Sequence, residues 1–303
     1  MYSPFFSCIL FQKLQIPYKK IMNILTFDIE EWFHIIDVPS AKDENQWDKF
    51  EVRIHKNVDR ILDLLKKKNQ KATFFCLGWV GKKHPEIIKK IDKNGHEIAS
   101  HSNLHKPVYR MNKKEFKKDT EISIKLLEDI TGKKIRIYRA PSFSFKEENK
   151  WAFEILIELG ITIDASVFPA KRSHGGFENF GEANPCRIDI NGHRIKEFPI
   201  NVISILGKNI IFSGGGYFRL LPYPLIKIFM QKSNYVMTYF HPRDFDPNQP
   251  ILDGCSRIRK FKSYYGLDKS FQKLEKLLND FEFIDINQAD KNINWNLTNV
   301  KYL

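Results

Sequence analysis

The feature that most limits how this chain can fold is a regular alternation, over residues 23–164, of short apolar runs with amphipathic stretches of about a dozen residues. Asn23 to Phe27 (NILTF), Lys71 to Leu77, His96 to Ser100, Ile135 to Tyr138 and Ile161 to Ile163 are too short for helices and rich in β-formers. The stretches between them carry apolar residues at helical spacing. Val58, Ile61, Leu62 and Leu65 form one stripe, with Asn57 as its expected cap, and Ile87, Ile88 and Ile91 form another, opened by His84-Pro85 and closed at Asn94-Gly95. Asn112 to Ile130 and Glu147 to Leu159 complete the series. A crossover of that size is what a parallel strand pair requires and a hairpin does not, so the pattern predicts parallel β/α units.

The 303 residues suffice for a barrel-sized core, and 42% hydrophobic with 28% charged residues, free of repeats and low-complexity tracts, points to one domain over residues 23–290. The later half is less regular. Residues 168–186 read as a long loop, 195–200, 209–212, 235–240 and 281–286 as strands, 221–232 and 265–279 as helices, and 291–303 as a peripheral polar tail. Gly214-Gly215-Gly216 either makes a turn or lets the backbone approach a ligand.

Residues 1–22 read as an extension whose apolar run, Pro4 to Phe11, is too short to span a bilayer and lacks a basic flank and small-residue cleavage site. Met22 is a candidate start. The expectation is a cytoplasmic protein without stable membrane insertion, at most peripheral to a membrane, and the scattered Cys8, Cys76, Cys186 and Cys255 agree with a reducing compartment. The net charge of +13 invites a nucleic-acid reading, but the excess Lys lies in helix-like stretches where it alternates with apolar or acidic residues, as on a solvated face. Nucleic acid is therefore not an expected partner.

Five strand-like runs deliver polar residues at their ends: Asp28, His101 with His105, Arg139, Asp164 and His241. In a parallel β/α barrel such ends converge on one face. His101 and His105, four residues apart in GHEIASHSNLH, can face one cation. Two His and a carboxylate with an open position make a catalytic site for one divalent transition metal, with Zn²⁺ the leading candidate and Mn²⁺, Fe²⁺, Co²⁺ and Ni²⁺ left open. A metal so held polarises a carbonyl and acidifies water, while a second carboxylate takes the proton and an imidazole protonates a departing amine.

TFDIEEWF, HSNLH, YRAPSF and YFHP, in that order over about residues 23–245, resemble the motifs of the polysaccharide deacetylases with the NodB homology domain, carbohydrate esterase family 4. GGGYFRLLP and HPRDFDPNQP resemble a bacterial subgroup associated with exopolysaccharide and surface-glycan synthesis. The resemblance implies an α/β fold, a deformed (β/α)7 barrel in a single domain, and removal of N-acetyl groups from amino sugars of a surface polysaccharide or its precursor, with an N-acetylated glycan as partner. It further implies that Asp28 is the general base, His101 and His105 metal ligands, Arg139 the residue orienting Asp28, His241 the general acid, Asp164 the carboxylate tuning that histidine, and Ser142 the donor of a backbone N–H to the oxyanion.

One departure is consequential. The family motif has adjacent aspartates, base then ligand, whereas Ile29 follows Asp28 here. Relatives with an acid two residues after the base place the ligand there, which nominates Glu30; Glu31 is the alternative, and the shared face of residues i and i+2 on a strand favours Glu30. Phe143 stands where the motif has Gly. Two rivals follow: hydrolysis of a non-sugar amide or cyclic imide, an activity of relatives with the acid-x-acid pattern, and a non-catalytic carbohydrate-binding barrel. Trp32, Phe33, Tyr217 and Phe218 are candidates for stacking on sugar rings.

Overall fold

The computed structural model describes residues 21–171, 175–205 and 208–303, so nearly all of the proposed N-terminal extension lies outside the described residues. Strands β1 (Met22–Ile24) and β2 (Thr26–Ile29) form one stave. Next to β2 run β3 (Thr73–Cys76), β4 (Glu97–Ser100), β5 (Ile137–Tyr138) and β6 (Ile163–Asp164), each parallel to its neighbour. A hairpin of β7 (Cys186–Ile190) and β8 (His193–Glu197) follows, and β8 joins β6 in parallel. After a short antiparallel pair, β9 (Ile203–Ile205) and β10 (Lys208–Ile210), β11 (Tyr235–Met237) returns parallel to β1. These seven parallel staves, β1–β2, β3, β4, β5, β6, β8 and β11, make the barrel.

Closure between β8 and β11 uses a side chain. Asn201 Oδ1 accepts from Met237 N–H and from Ser213 Oγ, both at 3.0 Å, in place of a strand ladder. This opening is what deforms the barrel, since a full ladder would fix strand number, tilt and stagger together.

The pleat divides the core into two layers. Phe27, Ile29, Phe74, Cys76, Ile98, Val236 and Phe240 point outward into the cluster under the helices. Ile24, Phe75, Ala99, Ile137, Ile163, Met237 and Tyr239 point into the barrel. The outer layer is closed by α1 (Ile54–Lys67), α2 (Gly78–Lys83), α3 (Pro85–Lys93), α4 (Lys113–Thr131) and α5 (Trp151–Glu158). Helix α4 carries the strongest local start and stop: Asn112 and Glu115 form a reciprocal capping box, and Gly132 ends it at φ 67°. In the second half, α6 (Gly215–Leu220), α7 (Tyr223–Lys232), α8 (Arg257–Tyr264), α9 (Leu267–Asp280) and α10 (Ile286–Asn292) follow. None of the described helices is long and apolar enough to cross a membrane.

Several expectations are corrected. Helix α1 begins at Ile54, so Asn57 lies inside it, buried, its amide donating to Asp246 Oδ2 at 2.9 Å. Phe281 to Ile286 is not a strand; it contributes a single bridge, Ile284 to Ile24, before α10 starts. The polar tail is not peripheral: β12 (Val300–Tyr302) pairs with β7, and Trp295 packs edge-on against buried Phe198 at 5.5 Å. Within the glycine run, Gly214 answers a packing need, because a Cβ there would lie 2.1 Å from Tyr239 O.

Candidate active site

The site forms where the staves end. On β2 the outward turn of Phe27 and Ile29 sends Asp28 inward, and Glu30, one residue past the strand, keeps that side. His101 follows β4 directly and its N–H donates to Cys76 O of β3 at 3.0 Å. Its Nδ1 lies 2.9 Å from Arg139 O; a carbonyl only accepts, so the ring hydrogen sits on Nδ1 and Nε2 keeps its lone pair.

His105 is brought round by a strained loop, with Ser102 at φ 68° and His105 at φ 54°, a region that costs an L-residue of order 1–3 kcal/mol. Asp119 of α4 holds this loop, accepting the N–H groups of Asn103 at 2.8 Å and Leu104 at 3.2 Å. Gly78 N–H and Trp79 N–H of α2 donate to Ser102 O and Asn103 O at 2.9 and 3.0 Å. The outcome is a triad: Glu30 Oε2 lies 3.1 Å from His105 Nε2, and one donor atom each from Glu30, His101 and His105 fall within 4.8 Å of one another. Two imidazole nitrogens and one carboxylate oxygen, all facing one point, fit a divalent transition metal.

Asp28 lies beside the triad, its Oδ1 accepting from Arg139 Nη1 at 2.7 Å. The same Nη1 donates to Thr26 Oγ1 at 2.8 Å, and the guanidinium lies 3.9 Å over the Phe75 ring. Arg139 is fully buried, and the carboxylate, the hydroxyl and the aromatic face together offset its desolvation. On the other side, His241 Nε2 is 3.1 Å from Glu30 Oε1 and 3.7 Å from Asp28 Oδ2. Its Nδ1 is 2.8 Å from Asp244 Oδ2.

Electrostatics separate the three imidazoles. Burial opposes charge on His241, yet Asp244 and Glu30 push its pKa up to about 10. His101 has no comparable carboxylate contact, and burial takes it down to about 4; burial lowers His105 as well. For Glu30 burial favours the neutral acid, but the charges of His105 and His241 hold it well below the usual carboxylate range.

Two nominated carboxylates stand elsewhere. Asp164 accepts from Ser166 Oγ at 2.6 Å and Ser166 N–H at 3.0 Å and shares a buried carboxyl pair with Glu197, burial raising both pKa values. The carboxylate on His241 is Asp244, which the sequence reading missed although its spacing carried a signal: it is the third residue of the one-turn helix that His241 opens, and it also accepts the His241 N–H at 3.0 Å. Glu31 points away from the triad and caps α1, its Oε1 accepting Arg53 N–H at 2.7 Å and Ile54 N–H at 2.9 Å. Ser142 lines the cleft at φ 56°, and no acceptor among the described residues takes its N–H. Phe143 also adopts a positive φ, 52°, where the family motif has Gly, and its ring lies 5.3 Å over the Arg139 guanidinium.

The site opens into a cleft of about 560 Å³. Of the four aromatics considered for sugar stacking, Trp32, Phe33 and Phe218 are core residues, and Tyr217 alone is exposed on the cleft wall. His34, also unnominated, lines the same cleft, stacked on His105 at 6.2 Å with Nδ1 accepting Glu31 N–H at 3.1 Å. A second two-histidine, one-carboxylate group lies on the surface: His55 Nε2 and His84 Nδ1 are 3.3 Å apart, with Glu86 Oε1 at 3.5 and 3.8 Å.

Residues 19–163 match the polysaccharide deacetylase family, and residues 165–291 match a domain of unknown function. The chain is 35% identical over 96 residues to a peptidoglycan-N-acetylglucosamine deacetylase of Bacillus cereus, covering 31% of this chain and 35% of that protein. It is 31% identical over 110 residues to a peptidoglycan deacetylase of Helicobacter pylori, covering 36% of each. The chain thus spans about a third of the length of these curated relatives. In fold it is similar to a polysaccharide deacetylase, described as putative, from Mycobacterium smegmatis, with a TM-score of 0.63 at 18% identity over 94% of both chains. Residues 19–163 thus carry the match to the polysaccharide deacetylase domain, and together with the residues that follow they fold as a (β/α)7 barrel.

Proposed function

We propose that this protein is a metal-dependent N-deacetylase acting on amino sugars of a surface polysaccharide or its precursor. The observation that carries the reading is the convergence of the Glu30–His101–His105 triad with Asp28 on one flank and the His241–Asp244 pair on the other. Glu30, His101 and His105 would hold one divalent cation, with Zn²⁺ the leading candidate. When bound there, such a cation supplies Lewis-acid polarisation of the acetamide carbonyl and acidifies a water.

The remaining steps fall to the chain itself. Asp28, fixed by Arg139 at 2.7 Å, accepts the proton of the attacking water. The Ser142 N–H donates to the oxyanion that forms as the carbonyl becomes tetrahedral. His241, its proton-bearing form favoured by Asp244, gives a proton to the sugar nitrogen as the C–N bond breaks. Acetate and a free amino sugar leave.

The test is acetate release from N-acetylated chito-oligosaccharides by the purified full chain before and after chelation. The expected result is release that chelation abolishes and Zn²⁺ restores. Release indifferent to chelation, or none after metal is restored, overturns the proposal, and a cyclic imide assayed in parallel tests the rival hydrolase directly.

A further inference from the structure

The segment that matches a domain of unknown function, residues 165–291, is not a separate body appended to the barrel. It contributes staves β8 and β11 and, from the loops and helices after them, His241, Asp244 and a whole wall of the cleft. That wall has a distinctive chemistry. The cleft is lined by five cationic side chains, Lys171, Arg219, Arg243, Arg259 and Lys262, all from this segment, against three acids, Asp28, Glu30 and Asp244.

The acids are already engaged. Asp28 is held by Arg139, Glu30 by His105 and His241, and Asp244 by His241 and by Arg219 at 3.2 Å. The cations are not neutralised to the same degree. Arg259 Nη2 donates to a backbone oxygen, Ile36 O, at 2.7 Å and lies 3.9 Å from Asp37 Oδ2, a carboxylate that Arg110 already holds at 2.5 Å, and Lys171 and Lys262 meet no carboxylate among the described residues. Aromatic surface lies among these charges: Tyr217, Phe261 and Tyr265 are each about half exposed, and Phe261 and Tyr265 form a pair with ring centroids 4.9 Å apart. A concave wall with excess positive charge focuses potential toward the site and lowers the cost of bringing an anion there. Interspersed aromatic faces suit sugar rings.

We propose that residues 165–291 form the substrate-recognition half of the active site and select an N-acetylated glycan that carries negative charge close to the acetylated sugar. This rests on the deacetylase reading above. The charge is a carboxylate of a neighbouring uronate in the glycan or a phosphate joining the sugar to a carrier; both present an oxyanion to the same cations.

Calorimetric titration of the full chain, as purified with its metal, tests this with matched probes: chitotetraose, a tetrasaccharide of alternating N-acetylglucosamine and glucuronate, and a uridine-diphosphate-linked N-acetylglucosamine. The expected result at about 20 mM salt is binding of at least one anionic probe about tenfold tighter than that of the neutral one, a preference that collapses near 500 mM salt. The double variant Lys171→Glu, Lys262→Glu loses the preference, and its melting temperature reports whether it is folded. Which anionic probe gains identifies the source of the charge. Equal or tighter binding of chitotetraose, no binding of any probe, or a preference that survives charge reversal in a folded variant overturns the inference. Acetate release is followed in the same samples: deacetylation without charge preference sinks this inference alone, and charge preference without acetate release from any probe sinks the deacetylase reading and reduces this inference to charge-selective glycan binding by residues 165–291.

Discussion

Among the described residues there are two groups of two histidines and a carboxylate, alike in donor type and different in surroundings. In Glu30–His101–His105 the side chains of His105 and Glu30 are 8% and 5% exposed; in His55–His84–Glu86 those of His55 and Glu86 are 43% and 59% exposed. The buried group is supported from outside, His101 by Arg139 O and the His105 loop by Asp119. It also adjoins a second carboxylate, Asp28, and a second imidazole, His241. The surface group lacks such support among the described residues, and its exposed His55 and Glu86 side chains surrender rotamer freedom on binding a cation. A donor set becomes a metal centre through what fixes its lone pairs, and a catalytic one through the proton acceptor and donor beside it.

That contrast breaks most directly by removing each pair of histidines. His101→Ala with His105→Ala should abolish stoichiometric metal and reduce kcat/KM by about 10³-fold or more, whereas His55→Ala with His84→Ala should leave both unchanged; elemental analysis with an acetate assay reads the difference. Metal that follows the surface pair instead would reverse the assignment. Next in size, Asp28→Asn should keep the metal and cost about 10²–10⁴-fold in kcat, which separates holding a cation from using it. Asp119→Asn weakens the two hydrogen bonds that hold the His105 loop and should cost about 10–100-fold in metal affinity, measured by competition with a chelating dye.

The adjacent glutamates give a smaller but sharper test. Glu31→Gln weakens the cap of α1 and should lower stability by about 1 kcal/mol in chemical denaturation while metal content holds, and Glu30→Gln should do the reverse. The smallest effect belongs to the surface pair. Burial holds the His84 pKa below its ordinary value, so its contribution is complete above about pH 6.5 and is lost as pH falls through the depressed folded value. His84→Gln should therefore flatten part of the decline of melting temperature between about pH 6.5 and 5 and change nothing at pH 8.

How much of this was legible beforehand depends on how local the signal was. The strand–helix alternation appears at the expected places in the first half because apolar periodicity is set by which face of each element is buried. The second half was harder. Cys186–Ile190 was missed as a strand because its pattern, with Asp189 inside, resembles a polar loop, and β12 was missed because three residues carry no period. In the site, position in sequence misled once, since Asp164 ends a stave but turns its carboxylate to Ser166 and Glu197; Glu30 and Glu31 are neighbours, yet strand alternation favoured Glu30, which faces the triad while Glu31 caps a helix.

By itself the sequence determined that parallel β/α units would form and that polar residues would collect at strand ends, because both follow from the burial of short segments against whatever surface is available. Only the tertiary structure decided which of those residues meet. Glu30 reaches His105 and His241, and Arg139 reaches Asp28, across separations of 75, 211 and 111 residues, and such contacts depend on how the barrel closes through Asn201 rather than on any local pattern. The same closure brings residues 165–291 over the ends of the first staves, so one site is built from two stretches that match different family models.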